Sequence, residues 1–386
     1  MASTAAAPPV ELPTFKGRPG WEFTDISELD LAAYEPVSAD EPAAAEPLFE
    51  LPEEQQLPDG VIVTSIADGL RDHAELIQRH LGSLVTADDP FVALNDASYR
   101  HGSFVYVPRG VVVREPISLT SVQARAGTLF NQRTLIVVEE GAQAEVWEQY
   151  LSGEADLDGV FNTVVELSLA DNARLRYICG QALSERSWIF GAQRAEVGRD
   201  ASLDWVALGF GSARGHVRME TRLAGEGAEA RVTGAYATHG RQHIDFDTTQ
   251  EHAAPNTTSD LAFRGVLQGR STAVWKGNII VDPGAQKTDA FQESRNLLIS
   301  KRAHADSIPG LEIQANDVRC THAAAVAQVD PEQLFYLRSH GLGEDIAKRL
   351  VIEGFLSALV ERFEQGPVRE RLAAALEQRL AYVLGD

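Results

Sequence analysis

The sequence predicts a mainly β protein whose core is a parallel β-helix, with α-helical regions at its N- and C-terminal ends. Three observations carry this. Residues 101–328 form a long series of short β-like runs separated by Gly, Asp and Asn, among them "SFVYVPRGVVV", "TLIVVEEGA", "NTVVELSLADNA" and "NIIVDPGA". No helical pattern of about 10–15 residues intervenes, which argues against a doubly wound sheet. The turns also repeat: "EEGAQAEVWEQYL", "ADNARLRYICGQAL", "GRDASLDWVALGFG", "GEGAEARVTGAYAT" and "DPGAQKTDAFQES" share a turn, an alanine and an alternating strand. Ala142, Ala173, Ala201, Ala228 and Ala285 step by 31, 28, 27 and 57 residues, the last being two units. A period of this size signals a solenoid, and alanine suits a tight inward corner. An antiparallel sandwich or barrel is the competing reading, because it also yields short strands and turns.

Four regions follow in order. Residues 1–60 are an N-terminal segment with a flexible acidic stretch, "EPVSADEPAAAEPLFELPEEQQLPDG", too poor in apolar residues to bury itself. Ahead of it Trp21, Phe23, Ile26 and Leu29 can dock a short piece onto the body. Residues 61–100 read as helical: Ile66, Leu70, Leu76, Ile77 and Leu81 fall near helical spacing, and Gly82 is a stop. Residues 101–328 are the β-helix. Residues 329–386 are a C-terminal helical region, in which Asp330 caps, Pro331 opens, Gln333 closes a capping box and Gly341 stops the first helix. Two further helices carry apolar stripes, Ile352, Phe355, Leu356, Leu359 and Phe363, then Val368, Leu372, Leu376, Leu380 and Val383. These stripes either cap the open end of the solenoid or dock another protein.

The bulk numbers exclude several classes. The formal net charge of the 386-residue chain is −22, a field that repels phosphate backbones and anionic headgroups. Nucleic acid and membrane surfaces are therefore not expected partners. Two cysteines exclude a disulfide framework. The opening "MASTAAAPPVELPT" lacks a basic and then apolar leader, and no apolar run approaches the ~20 residues of a membrane span. The expectation is a cytoplasmic protein with reduced thiols.

Enzyme signatures are sparse. There is no phosphate-cradling G-x-x-x-x-G-K-[ST] loop, no G-x-S-x-G elbow and no H-E-x-x-H helix. "GEGAEA" matches a dinucleotide fingerprint but falls on a repeating turn. The densest polar stretch gathers His239, His243, Asp245, Asp247, Glu251 and His252, and alternation puts His243, Asp245 and Asp247 on one strand face. Cys320 and His322 also alternate, in "DVRCTHAAAV". Thiolate and imidazole suit zinc or iron, but two donors do not complete a tetrahedral site. The pair is open to three readings: an ordinary turn, a metal half-site shared with a partner, or a nucleophile with its base. Cys179, inside "RLRYICGQAL", reads as a small buried hydrophobe.

At these residues the sequence resembles the SufB/SufD family of iron–sulfur cluster assembly scaffolds, closest to its SufD-like branch. The block from "EHAAPNTTSD" through "GVLQGRSTAVWKGNIIVDPGAQKTDAFQESRNLLIS" to "LEIQANDVRCTHAAAVAQVDPEQLFYLRSHGL" carries the resemblance, with "VPRGVVVREPI" and "GWEFTD" as weaker landmarks. The resemblance implies a right-handed parallel β-helix and a non-catalytic subunit of the Suf complex. It implies pairing with a SufB-like protein and engagement of a SufC-like ATPase through the C-terminal helices. Tyr336, Arg338, Ile352, Phe355, Leu356 and Leu359 are the candidate ATPase contacts. Cys320 and His322 would help hold a transient iron–sulfur cluster at the SufB-like interface, with none bound by this chain alone. The family's usual Cys-Ser-His-Gly-Ala-Thr reads Cys-Thr-His-Ala-Ala-Ala here, and Ala323 lacks glycine's backbone freedom. Two readings from other classes stand beside this one. One is a β-helix carbohydrate-cleaving enzyme using Asp245 and Asp247. The other is an architectural homodimer paired through edge strands.

Overall fold

The computed structural model describes residues 20–37, 44–51, 56–87 and 89–385. Strands β1 (Glu35–Pro36) and β2 (Ile62–Ser65) precede three short helices, α1 (Ile66–Asp72), α2 (Ala74–Gln78) and α3 (Pro90–Ser98). Next come β3 (Ser103–Val107), β4 (Ile117–Gln123), β5 (Thr128–Val138), β6 (Gln143–Ser152), β7 (Gly159–Leu169) and β8 (Arg174–Ala182). They continue as β9 (Trp188–Val197), β10 (Ser202–Gly209), β11 (Arg214–Leu223), β12 (Glu229–Thr238) and β13 (His243–His252). The series ends with β14 (Thr258–Leu267), β15 (Thr272–Val281), β16 (Asp289–Leu298), β17 (His304–Ile313) and β18 (Arg319–Gln328). Helices α4 (Pro331–Ser339), α5 (Glu344–Val360) and α6 (Pro367–Leu384) close the chain.

The strands wind into a parallel solenoid of about eight turns. Odd-numbered strands from β3 to β17, with β2 at the end, form one sheet, and even-numbered strands from β4 to β18 form the other. Each strand pairs in register with its counterpart one coil away, so Ser202 meets Arg174 on one side and Glu229 on the other. Register makes like positions stack. Tyr177 and Trp205, then Phe246, Phe263 and Trp275, contact one another along the lumen, with centroid separations of 5.3–6.4 Å.

The alanine corners have a steric cause. Ala142, Ala173, Ala201 and Ala228 are fully buried, each immediately before a strand of the second sheet. The fifth corner differs from the sequence expectation. Thr257 and Thr288, not Ala285, precede β14 and β16, and each donates its hydroxyl to the carbonyl three residues back, on Ala254 and Ala285. The threonine hydroxyl finds a local acceptor, so a polar residue fills the corner without an unsatisfied group. The "GEGAEA" segment is one such corner. A Cβ on Gly225 would lie 2.0 Å from the Arg199 backbone nitrogen of the coil below, so its glycine serves close coil packing.

The helical reading of residues 61–100 is corrected at its start: β2 pairs antiparallel with β3 and closes the first sheet. Val61, Ile62 and Val63 form a continuous apolar run too short to separate strand from helix by period. The turn after α2 is tied down by a buried ion pair on the outer face of the first sheet. Arg133 and Glu166 are almost wholly buried and bonded at 2.9 Å, and Arg133 also pairs with Asp96. Glu166 accepts the backbone N–H groups of Gly82, Leu84 and Val85 as well. The N-terminal residues 20–37 cross the same face, with Trp21, Ile26 and Leu29 buried against Phe91, Leu129, Val160, Trp188 and Phe190, while Phe23 stays exposed.

Glu166→Ala leaves Arg133 buried with only the half-exposed Asp96 and strips three amides of their acceptor. The expected loss is about 3–5 kcal/mol of unfolding free energy. Chemical denaturation measures it, and an unchanged midpoint would contradict this anchoring role.

Candidate functional site

The C-terminal end of the solenoid is left uncapped. β17 and β18 are the last strands of their sheets, and neither has a partner on its outer edge among the described residues. On β18, Cys320 lies beside Ala290 and His322 beside Gln292. Ala290 and Gln292 point into the lumen and are fully buried, so Cys320 and His322 continue the same inward rows at the open mouth. Cys320 packs with Leu311 and Val318 over Ala290 and is half-buried. Burial, reinforced by the Asp289 carboxylate, pushes its thiol up, so the thiol holds its proton at neutral pH. His322 is exposed.

Sequence reasoning missed Gln292, which floors this mouth. Its Nε2 donates across the lumen to the Gly277 and Gly310 carbonyls at 3.3 and 3.1 Å, while its Oε1 has no partner. Only strand register reveals it, because Gln292 and His322 lie a full coil apart in sequence. Ala323 pairs with Glu293 in regular extended backbone, and its φ is not positive, so glycine's freedom is not needed there.

Among the described residues no third donor completes the pair, and no group of three or more His, Cys, Asp or Glu is placed to hold a metal ion. Cys179 sits on β8 inside the lumen, where burial and the Glu148 carboxylate push its thiol up to about 12. It is inert as a nucleophile at neutral pH.

The polar stretch of residues 239–252 is dispersed. His239 Nε2 lies 2.7 Å from Glu185 near α6. His252 is inside the coil, bonded to Thr257 and Ser259, and burial lowers it to about 4. Glu251 pairs with Arg194 and Arg222, and Asp247 with Lys276. Asp245 is buried beneath the N-terminal segment, bonded to Thr24 and His216. A carbohydrate-cleaving pair needs two carboxyls facing one groove. Asp245 and Asp247 do not form it, because one is covered and the other is held by a lysine.

The C-terminal helices do not cap the open end. α5 and α6 lie on the outer face of the second sheet against β12 and β14. Ile352, Leu356 and Leu359, with Leu372, Leu376 and Leu380, are buried there against Val206, Ala235, Ala262 and Val266. The expected assignment of Ile352, Leu356 and Leu359 to a partner surface is therefore corrected, because the chain's own sheet occupies them. Phe355 is partly buried and packs beneath Arg264. Tyr336 and Arg338 lie on α4, which buries none of its residues. Asp330 caps α4 through the Glu332 N–H, and Gly341 at φ +89° ends it. Exposed apolar side chains on these helices include Phe335 and Tyr336 on α4, 75% and 63% exposed, Ile346 and Leu350 on α5, and Tyr382 on α6. Ile346 and Leu350 are one turn apart and off the buried stripe, a spacing visible in the sequence.

No described helix is long and apolar enough to cross a membrane. Residues 120–355 match the family model described as "SUF system FeS cluster assembly, SufBD core domain", and residues 48–119 match "SufBD protein N-terminal region". The iron–sulfur cluster assembly protein SufD of Bacillus subtilis is 32% identical over 84% of this chain and 76% of its own length. A SufBD family protein of Mycobacterium tuberculosis is 32% identical over 78% of this chain and 76% of its own length. One from Synechocystis is 26% identical over 93% and 86%. The uncapped parallel solenoid with its lone Cys-x-His edge is thus carried by a chain that belongs to the SufBD family of iron–sulfur cluster assembly proteins.

Proposed function

We propose that this chain is a SufD-like, non-catalytic subunit of a cytoplasmic Suf assembly complex. It pairs with a SufB-like scaffold through the open end of the solenoid and with a SufC-like ATPase through α4 and the outward face of α5. The observation that carries this reading is the ten-residue edge strand β18. Its unpaired backbone and its two soft donors face the same opening. A second polypeptide that satisfies the edge also brings the ligands that Cys320 and His322 lack.

The cluster is cargo at this interface. The Cys320 sulfur and the His322 imidazole each supply one bond to iron, and the remaining positions fall to sulfide and to the partner. The protonated thiol favours a transient site, because each binding event must expel a proton. Motion of the ATPase reaches the solenoid through α5 and α6, which sit directly on β12 and β14. A homodimer through the same edges is the competing arrangement in the absence of the SufB-like protein.

His322→Ala is expected to leave the three-component complex intact and to lower its cluster iron and sulfide at least about tenfold. Metal analysis of the purified complex reads this, and normal iron content would contradict the half-site. Replacing Phe335 and Tyr336 together by Ala is expected to weaken ATPase binding by about 2 kcal/mol or more while SufB-like pairing is unchanged. Calorimetry against each partner separates the two surfaces, and unaltered ATPase affinity would remove α4 from the contact.

A further inference from the structure

We infer that residues 20–37 form a latch held by a Thr24–Asp245–His243–His216 clamp, and that the latch loosens as pH falls through the histidine range. The latch crosses the outer face of the first sheet. The Trp21 and His216 rings pack at 4.3 Å, tilted by 40°, and Arg214 reaches the Asp25 carbonyl at 3.0 Å and Glu28 at 2.6 Å. At its far end the Glu35 and Val37 N–H groups bond to the Gly127 and Leu129 carbonyls. Between these ends sits Thr24, 1% exposed, with its hydroxyl 2.6 Å from Asp245 Oδ2 and 3.2 Å from His243 Nε2. His243 Nδ1 in turn lies 2.7 Å from the Thr272 hydroxyl, and His216 Nδ1 3.0 Å from Asp245 Oδ2.

The contacts fix two of the clamp's protons. Thr24 has a single hydroxyl hydrogen, and the 2.6 Å contact commits it to the carboxylate. Its oxygen then accepts from His243 Nε2–H, while Nδ1 accepts from the Thr272 hydroxyl in the neutral ring and donates to it in the cation. A second proton therefore keeps the hydrogen bonds but places a cation in a covered site beside Arg214 and His216.

The surrounding charges agree with that order. Burial holds His243 below its ordinary value, with Arg214 and His216 acting in the same direction and Asp245 opposing. His216 faces Asp245, Asp247 and Asp89; burial pushes it down, but Asp245, by charge and hydrogen bond, lifts it net above the ordinary value. Burial also works against the Asp245 carboxylate, and His216, Thr24 and His243 together hold it below the usual range. Asp247 is paired with Lys276, and Asp89 accepts from Trp21 Nε1. His216 and Asp245 sit on adjacent strands of the sheet, so opening removes Trp21 and Thr24 from them and not the partner each finds in the other. His243 is the group whose added proton the closed latch disfavours. Its depressed value means that latch closure is favoured above the ordinary histidine value of about 6.5 and is lost as pH falls through the lower closed-state value. Opening uncovers the aromatic face of Phe91, Trp188 and Phe190.

Hydrogen exchange of the Glu35 and Val37 amides, corrected for intrinsic rates, tests this on the full chain. Their exchange is expected to rise between about pH 7 and pH 5, approaching the tenfold per pH unit that uptake of one proton permits, while amides of β9 stay protected. His243→Gln keeps an N–H for Thr24 but takes up no proton, and flattens the profile. Thr24→Val, on the latch itself, speeds exchange about tenfold or more at pH 7 without touching the sheet. A flat profile in the wild-type chain, or a His243→Gln variant with the wild-type slope, overturns the inference.

Discussion

A strand in a parallel sheet is complete only when both of its edges are paired, and that constraint orders this molecule from end to end. Each coil satisfies the backbone of the one before it and exposes its own, so the problem moves along the rod without being solved. At the N-terminal end β2 turns antiparallel and closes the first sheet. At the C-terminal end β17 and β18 stop with no strand on their outer edges among the described residues. The helices that follow are long enough to fold over that opening, yet they lie along the outside of the second sheet. An open edge ten residues long is an aggregation hazard unless a partner takes it.

The same register explains why the chemistry is incomplete. Lumen rows are filled by large side chains in the middle of the rod and end in Cys320 and His322 at its mouth. The thiol is kept protonated by burial and by Asp289, and the imidazole stands in solvent. Two donors on alternate positions of one strand hold a metal weakly by themselves and well when a facing surface adds the others. The two longest C-terminal helices, α5 and α6, sit on the flank of the second sheet against β12 and β14.

Much of the fold is legible in the sequence, because β-solenoid corners impose steric rules on single residues. Ala142, Ala173, Ala201 and Ala228 mark their corners, each a small side chain fully buried just before a strand. The corner at residue 288 escapes this rule because a threonine satisfies its own hydroxyl through the carbonyl of Ala285. The apolar stripe of α5 is equally legible, but amphipathicity states that a face is buried and not what buries it. Ile352, Leu356 and Leu359 therefore read as a docking surface until the sheet beneath them is seen. The pairing of Thr24 with His243 and Asp245 has no local signature, because more than two hundred positions separate them. The same holds for Gln292 beneath His322. Spacing within one strand is visible, whereas stacking between coils is not.

The central claim is that the exposed edge of β18 is an interface for a SufB-like protein and not a bare end. The direct measurement is backbone hydrogen exchange across Arg319–Gln328, with the chain alone and with a SufB-like partner. The alternate amides that do not reach β16 should exchange freely in the isolated chain and become protected in the complex, with β17 following and α4 unchanged. Equal exchange along β18 in both states, in a sample where the complex has formed, would contradict the account.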